Sequence, residues 1–170
     1  MWSEKKLTLK LDENEKKFPI EVLNIFDLTE LEIIGGDFSY ISEFINHLTN
    51  LKKLSIVSTK ISDFPKEVFE LPNLRYLSLK NNRIKSLPHL INPNKLETLI
   101  LNKNYLTHLN FLNKNFSQLN YLDVGSNLII EIPESISQLT NLKRINLENN
   151  NIYNAAILNE LLPSLISVSA

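Results

Sequence analysis

Apolar residues in this chain recur at the spacing of a whole coil rather than of a helical turn. Leucine opens segments at Leu28, Leu51, Leu74, Leu96, Leu119, Leu142 and Leu165, in steps of 23, 23, 22, 23, 23 and 23 residues. The first six segments read LTELEIIGGDF, LKKLSIVSTKI, LRYLSLKNNRI, LETLILNKNYL, LNYLDVGSNLI and LKRINLENNNI. They share the pattern L-x-x-L-x-L-x-x-N-x-L. The second halves also recur, as ISEFINHL, FPKEVFEL, LPHLINP and IPESISQL. Seven apolar slots per repeat, at positions 1, 4, 6, 11, 14, 18 and 21, make 42 slots in six repeats, and 39 of them are apolar. At 43% apolar content chance would fill about 18, so register rather than composition places these residues. The exceptions are Asn94, Asn113 and Asn159. A fixed period of this length marks an architecture in which each unit buries its apolar face only against its neighbours.

Within a repeat, positions 4 and 6 alternate with period 2, which predicts a short strand with one buried face. Seven such strands are expected to stack in parallel, at Leu31/Ile33, Leu54/Ile56, Leu77/Leu79, Leu99/Leu101, Leu122/Val124, Ile145/Leu147 and Val168/Ala170. An eighth is expected before them at Leu7/Leu9, because Phe18-Pro19 precedes Leu28 as Phe64-Pro65 precedes Leu74. The return legs carry proline and i, i+4 apolar pairs (Phe64/Val68, Ile132/Ile136), which predicts short α or 3₁₀ turns there. The organisation is then one domain. Residues 1–27 form a capping strand and partial repeat, 28–164 six repeats, and 165–170 the start of a seventh.

Asparagine is the other bias: 23 residues, against 31 leucines and 19 isoleucines. Position 9 holds Asn82, Asn104, Asn127 and Asn150 in four successive repeats. The chain leaves the strand there, and a short amide supplies donors and an acceptor to backbone groups turned inward. These four are expected to form a structural ladder, with Gly36 and Thr59 breaking the row in the first two repeats.

The repeat resembles the leucine-rich repeat family over about Leu28 to Ala170. Its Phe-Pro and Ile-Pro starts to the second half, as at Phe64-Pro65 and Ile132-Pro133, look like the short bacterial-type repeats. That resemblance implies an α/β fold: a right-handed β/α solenoid, or horseshoe. Its parallel sheet would be concave, its short helical or 3₁₀ segments would be convex, and the concave face would bind.

Charge and composition narrow the chemistry. Lys plus Arg is 18 and Asp plus Glu 19, a net charge of -1, which argues against a dedicated nucleic-acid binder. Zero cysteines remove disulfides, thiolate metal sites and a cysteine nucleophile, and 3 glycines leave little for a phosphate-cradling loop. No nucleotide-binding glycine motif and no Ser-His-acid spacing occurs. His47, His89 and His108 fall at unrelated repeat positions, so they are expected on loops or the convex side, several coils apart and not as a metal site. Glu30 and Glu32 have no cleft to work in. Asn115-Phe-Ser forms a glycosylation sequon, of consequence only in a eukaryotic secretory pathway. No apolar run long enough to span a membrane is present, and Met-Trp-Ser-Glu-Lys-Lys lacks the apolar core of a signal peptide. Trp2 is placed either over the first coil or in a tail.

Positions 3, 5 and 7 point to the other face of the sheet. Tyr76 and Tyr121 stand two strands apart there, with Ile100 beside them and Asn102 next in the strand. Lys53, Lys80, Asp123, Arg144 and Glu148 form a ring of both signs, and Gly125 is expected to leave a dent beside Tyr121. Tyrosine and arginine inside a mixed polar rim have the composition of a protein-binding hot spot. The reading is a non-enzymatic module, without cofactor, that binds another protein through this face. The alternatives are a recognition part of a larger effector or enzyme, and a glycan or small-molecule receptor. The strand at 165–170 offers an edge through which two copies could pair. Abundant Lys, Asn and Ile with this repeat type suggest a bacterial protein, secreted or at the cell surface rather than cytoplasmic.

Overall fold

The computed structural model describes residues 5–64, 66–90 and 92–169. Trp2, Pro65, Ile91 and Ala170, each part of an expectation above, lie outside them. Eight strands form one parallel sheet in chain order: β1 Lys5–Leu11, β2 Leu28–Gly35, β3 Lys53–Val57, β4 Tyr76–Ser78, β5 Thr98–Ile100, β6 Tyr121–Asp123, β7 Arg144–Asn146 and β8 Ser167–Ser169. Equivalent repeat positions pair in register across it. Lys6 opposes Glu30, then come Lys53, Tyr76, Thr98, Tyr121, Arg144 and Ser167. The additional first strand lies where Leu7 and Leu9 place it, opposite Leu31 and Ile33.

The apolar slots form one continuous core behind the sheet. Leu31, Ile33, Leu54, Ile56, Leu77, Leu79, Leu99, Leu101, Leu122 and Val124 are all fully enclosed. The return legs hold 3₁₀ turns at Ile20–Asn24, Glu43–His47, Lys66–Glu70, Lys114–Phe116, Glu134–Gln138 and Ala155–Ile157, the last continuing into α1, Leu158–Leu161. The coil opening at Leu74 is one residue shorter and has no such turn among its described residues. Its slot 21 is Asn94, which cannot fill the core. Instead Phe69 and Phe116, from the coils on either side, meet edge to face with centroids 5.7 Å apart. The other apolar exceptions have turn duties or are exposed. Asn113 accepts from the Asn115 N–H at 2.8 Å, and Asn159 faces solvent.

Asparagine stitches coil to coil. Asn104 Nδ2 donates to Leu79 O of the preceding coil at 2.9 Å and to Leu101 O of its own at 2.8 Å, while its Oδ1 accepts from Ile84 N at 3.0 Å. Asn82, Asn127 and Asn150 repeat the two donations. Each amide therefore bonds to backbone of two coils, rather than amide to amide. Thr59 does not break this row: it is buried, its hydroxyl donates to Asn82 Oδ1, and its N–H donates to the same oxygen at 3.2 Å. A second set lies just before the repeat start, where Asn50, Asn73 and Asn141 donate to Phe26 O, Thr49 O and Ser117 O of the preceding coil.

One residue earlier than the ladder, at position 8, the backbone turns left-handed in six coils. Gly35 holds φ 82°, and Ser58, Asn81, Lys103, Ser126 and Asn149 hold φ of 55–58°. This is the kink that carries the chain from the strand into the ladder turn, and Asn, like Gly, tolerates it.

Candidate functional site

The side chains at positions 3, 5 and 7 lie on the face of the sheet opposite the core. Position 3 forms a run of five that is nearly symmetrical about Thr98: Lys53, Tyr76, Thr98, Tyr121, Arg144. Strands about 4.8 Å apart make this run about 19 Å long. Both cations fold inward over the rings. Lys53 Nζ is 5.0 Å from the Tyr76 centroid and Arg144 Cζ is 5.3 Å from that of Tyr121. A cation over an aromatic face is attracted by the ring's quadrupole, and the rings hold the two long side chains in place. Glu30, beyond Lys53, is paired with Lys6 at 2.7 Å.

Position 5 is set deeper than the alternation alone indicates. Ser55, Ser78 and Asp123 are buried although they face away from the core. Asp123 therefore does not stand in a solvent-exposed rim of charge. It is 7% exposed and accepts the Gly125 N–H at 3.1 Å. Burial raises its carboxyl pKa, opposed by the Gly125 N–H, by the field of Lys80 and by a hydrogen bond from Asn146. Burial also raises the Tyr121 hydroxyl, and nearby Asp123 adds to it.

Gly125 leaves no dent. A Cβ there would lie 3.0 Å from Asn146 Nδ2, so the neighbouring amide already occupies the space. Asn146 is held in that position by accepting from Glu148 N at 3.0 Å. Lys80 and Glu148 are exposed at position 7, and Ile100 and Asn102 are half-buried between the tyrosines and the turn. The Asn102 Oδ1 is enclosed without a hydrogen-bond partner. The resulting face is an aromatic and cationic row over a floor that is polar except at Ile100.

Elsewhere the chemistry is spread thinly. His89 and His108 lie on adjacent coils, not several apart, and line one cleft of about 380 Å³. Among the described residues no group of three His, Asp or Glu is placed to hold a metal ion. Asn115 of the sequon is buried, and its Nδ2 donates to Leu90 O at 2.7 Å, which occupies the atom a glycan would need. Among the described residues no helix is long and apolar enough to cross a membrane.

Two lateral columns escaped the reading of the strands. Past the turn, positions 10 and 12 continue the alternation around buried position 11. They carry Lys60, Arg83, Lys85, Tyr105, Leu128, Ile130 and Tyr153, all exposed, together with the polar Asp37, Ser39, Ser62, Thr107 and Asn151. Extending the period-2 test beyond position 9 would have found them.

Comparison with known proteins places this arrangement. Residues 49–106 match the leucine rich repeat family. No curated protein matches the chain by sequence. An internalin (inlF) from Listeria monocytogenes is 27% identical over 97% of the chain, with a TM-score of 0.76. TLR13 in its complex with ssRNA13 is 23% identical over 96%, with a TM-score of 0.75, a likeness of fold alone. The plant peptide hormone receptor RGFR1, in complex with RGF2, is 27% identical over 86%, with a TM-score of 0.71. The chain spans 47% of the internalin and 24% of each of the other two.

Proposed function

We propose that this chain, a leucine-rich repeat protein, binds another protein through the concave face of its sheet and performs no catalysis of its own. The observation that carries the reading is the position-3 row, in which Lys53 and Arg144 are stacked on Tyr76 and Tyr121 at 5.0 and 5.3 Å. Side chains already ordered in the free protein lose little entropy on binding. Tyrosine and arginine are the residue types that dominate measured hot spots. The flanking acids Glu30, Glu32 and Glu148, with Asp123 beneath, favour a protein over a polyanion. Likeness to the internalin supports a bacterial origin and placement outside the cytoplasm.

The test is a pull-down that compares wild type with the double variant Tyr76→Ala, Tyr121→Ala, its folding checked by circular dichroism. Loss of a captured protein by the folded variant supports the reading. If every captured protein survives, the concave face is not the binding surface. Capture that a glycan competes away would favour a sugar ligand on the same rings.

A further inference from the structure

The lateral columns at positions 10 and 12 form a surface of their own, separated from the concave face by the left-handed turn and the asparagine ladder. Successive coils are tied there by backbone hydrogen bonds: Arg83 N to Ile61 O at 2.8 Å, Tyr105 N to Ile84 O at 2.9 Å, Leu128 N to Leu106 O at 2.8 Å and Tyr153 N to Ile130 O at 3.1 Å. The columns therefore run straight along the solenoid, one coil about every 4.8 Å. They are divided by chemistry. The Leu51 and Leu74 coils present Lys60, Ser62, Arg83 and Lys85, and the next three present Tyr105, Leu128, Ile130 and Tyr153, with Thr107 and Asn151 among them.

The cationic end is available. Lys60 is engaged by Asp37 at 2.5 Å, but no acid among the described residues pairs with Arg83 or Lys85. Two clefts, of about 460 and 380 Å³, meet at Lys85. Ser39, Ser62, Ser86 and Thr107 line them, with the Asp37 carboxylate in the larger one. The Ser62 hydroxyl donates to Asp63 Oδ2 at 3.3 Å and Thr107 Oγ1 is bonded to His108 Nδ1 at 2.8 Å, which leaves Ser39 and Ser86 beside the unpaired cations. The apolar end is exposed beyond what the core requires: Tyr105 48%, Leu128 49%, Ile130 45% and Tyr153 75%, the Tyr153 ring lying open while its hydroxyl donates to Glu131 Oε2 at 2.7 Å. Single exposed apolar residues need no explanation, but a contiguous strip beside unpaired charge marks an interaction surface.

We infer that this lateral edge is a second protein-docking surface, shaped for an extended segment of a partner that is acidic at one end and apolar at the other. The cations select the acidic end, and the strip selects a polypeptide over a sulfated glycan or nucleic acid, which would leave it exposed. From Arg83 to Tyr153 is three coil steps, about 14 Å, the reach of about four extended residues. This surface is independent of the concave face, so each can fail without the other.

The test uses a fluorescent synthetic peptide, Asp-Glu-Asp-Gly-Leu-Trp-Leu-Phe, titrated by anisotropy with the whole chain. A scrambled peptide of the same composition, a heparin hexasaccharide and oligo(dT) serve as separate probes. The expected result is binding of the ordered peptide in preference to all three. It is expected to weaken at least ~10-fold in Arg83→Glu with Lys85→Glu, and similarly in Leu128→Ser with Ile130→Ser. The milder Arg83→Gln with Lys85→Gln covers any loss of folding. Tyr76→Ala with Tyr121→Ala is expected to leave this binding unchanged. Equal binding of the scrambled peptide, preference for heparin or oligo(dT), no binding at all, or loss only in the tyrosine variant would each overturn the inference.

Discussion

The hydroxyl of Thr59 donates to the side-chain oxygen of Asn82 one coil further on, and so continues the amide row toward the first strands. Asn82 in turn donates to Ile56 O at 2.9 Å, returning the bond to the coil that holds Thr59. The two side chains close a reciprocal link between coils. In a solenoid most contacts join adjacent coils, the Phe69–Phe116 pair across the short Leu74 coil being an exception here, so such links carry much of its cooperativity.

Removing the middle of that row is expected to be costly. Asn104→Ala deletes bonds to Leu79 O, Leu101 O and Ile84 N, all buried. Unsatisfied buried groups cost about 1–3 kcal/mol. Thermal or urea unfolding should show that loss, with a smaller one for Asn150→Ala, whose site is half-buried. A wild-type melting temperature for Asn104→Ala would contradict the structural role.

Thr59→Val keeps shape and removes only the hydroxyl. It is expected to lose about 1 kcal/mol, and Thr59→Ser to keep most of the stability. Equal stabilities for Val and Thr at this position would show that Asn82 needs only the Thr59 N–H.

Gly35 admits no side chain. Its φ is +82°, and a Cβ there would stand 2.5 Å from Leu11 O on the neighbouring strand. The left-handed backbone alone costs a side chain about 1–2 kcal/mol, and the overlap adds to it. Gly35→Ala should loosen β1 from β2, seen as faster hydrogen exchange at the β1 amides with the later strands unaffected. Uniform protection across the sheet would refute the close approach.

Asp123 sets a pH dependence of known sign. Burial raises its pKa above the ordinary 3.8, so the folded state holds the proton to higher pH than the unfolded chain. Its contribution to stability therefore falls as pH rises through the window above 3.8. Asp123→Asn, which keeps an acceptor for the Gly125 N–H, should gain on wild type as the pH is raised toward neutral. An advantage that shrinks on raising the pH would show a carboxylate stabilised, not penalised, by its site.

Asp37 has the opposite sign. Its carboxylate accepts from Lys16 and Lys60, which hold its pKa down to about 2. The stability it lends is present above 3.8 and is lost as the pH falls toward 2. Asp37→Asn should flatten the acid limb of a urea-midpoint profile across that window. An NMR titration that places the Asp37 carboxyl near 3.8 would remove the effect.

The repeat period by itself determined a great deal. A 22- or 23-residue step assigns every residue to a position, and period 2 within positions 3–7 assigns each side chain to a face. This was enough to place Leu31, Leu54 and Leu77 in one buried column, and Tyr76 and Tyr121 two strands apart on the other face. Tertiary structure decided what one repeat cannot encode, because burial at a position depends on side chains from adjacent coils. Asp123 is covered although its position faces away from the core. Gly125 leaves no space because Asn146, one coil on, fills it. Thr59 serves the row because Asn82 reaches back to it, and Asn115 is spent on Leu90. Along the lateral edge the sequence supplied the charges and apolar groups, and the stacking of coils brought Arg83 and Lys85 into line with Leu128 and Ile130.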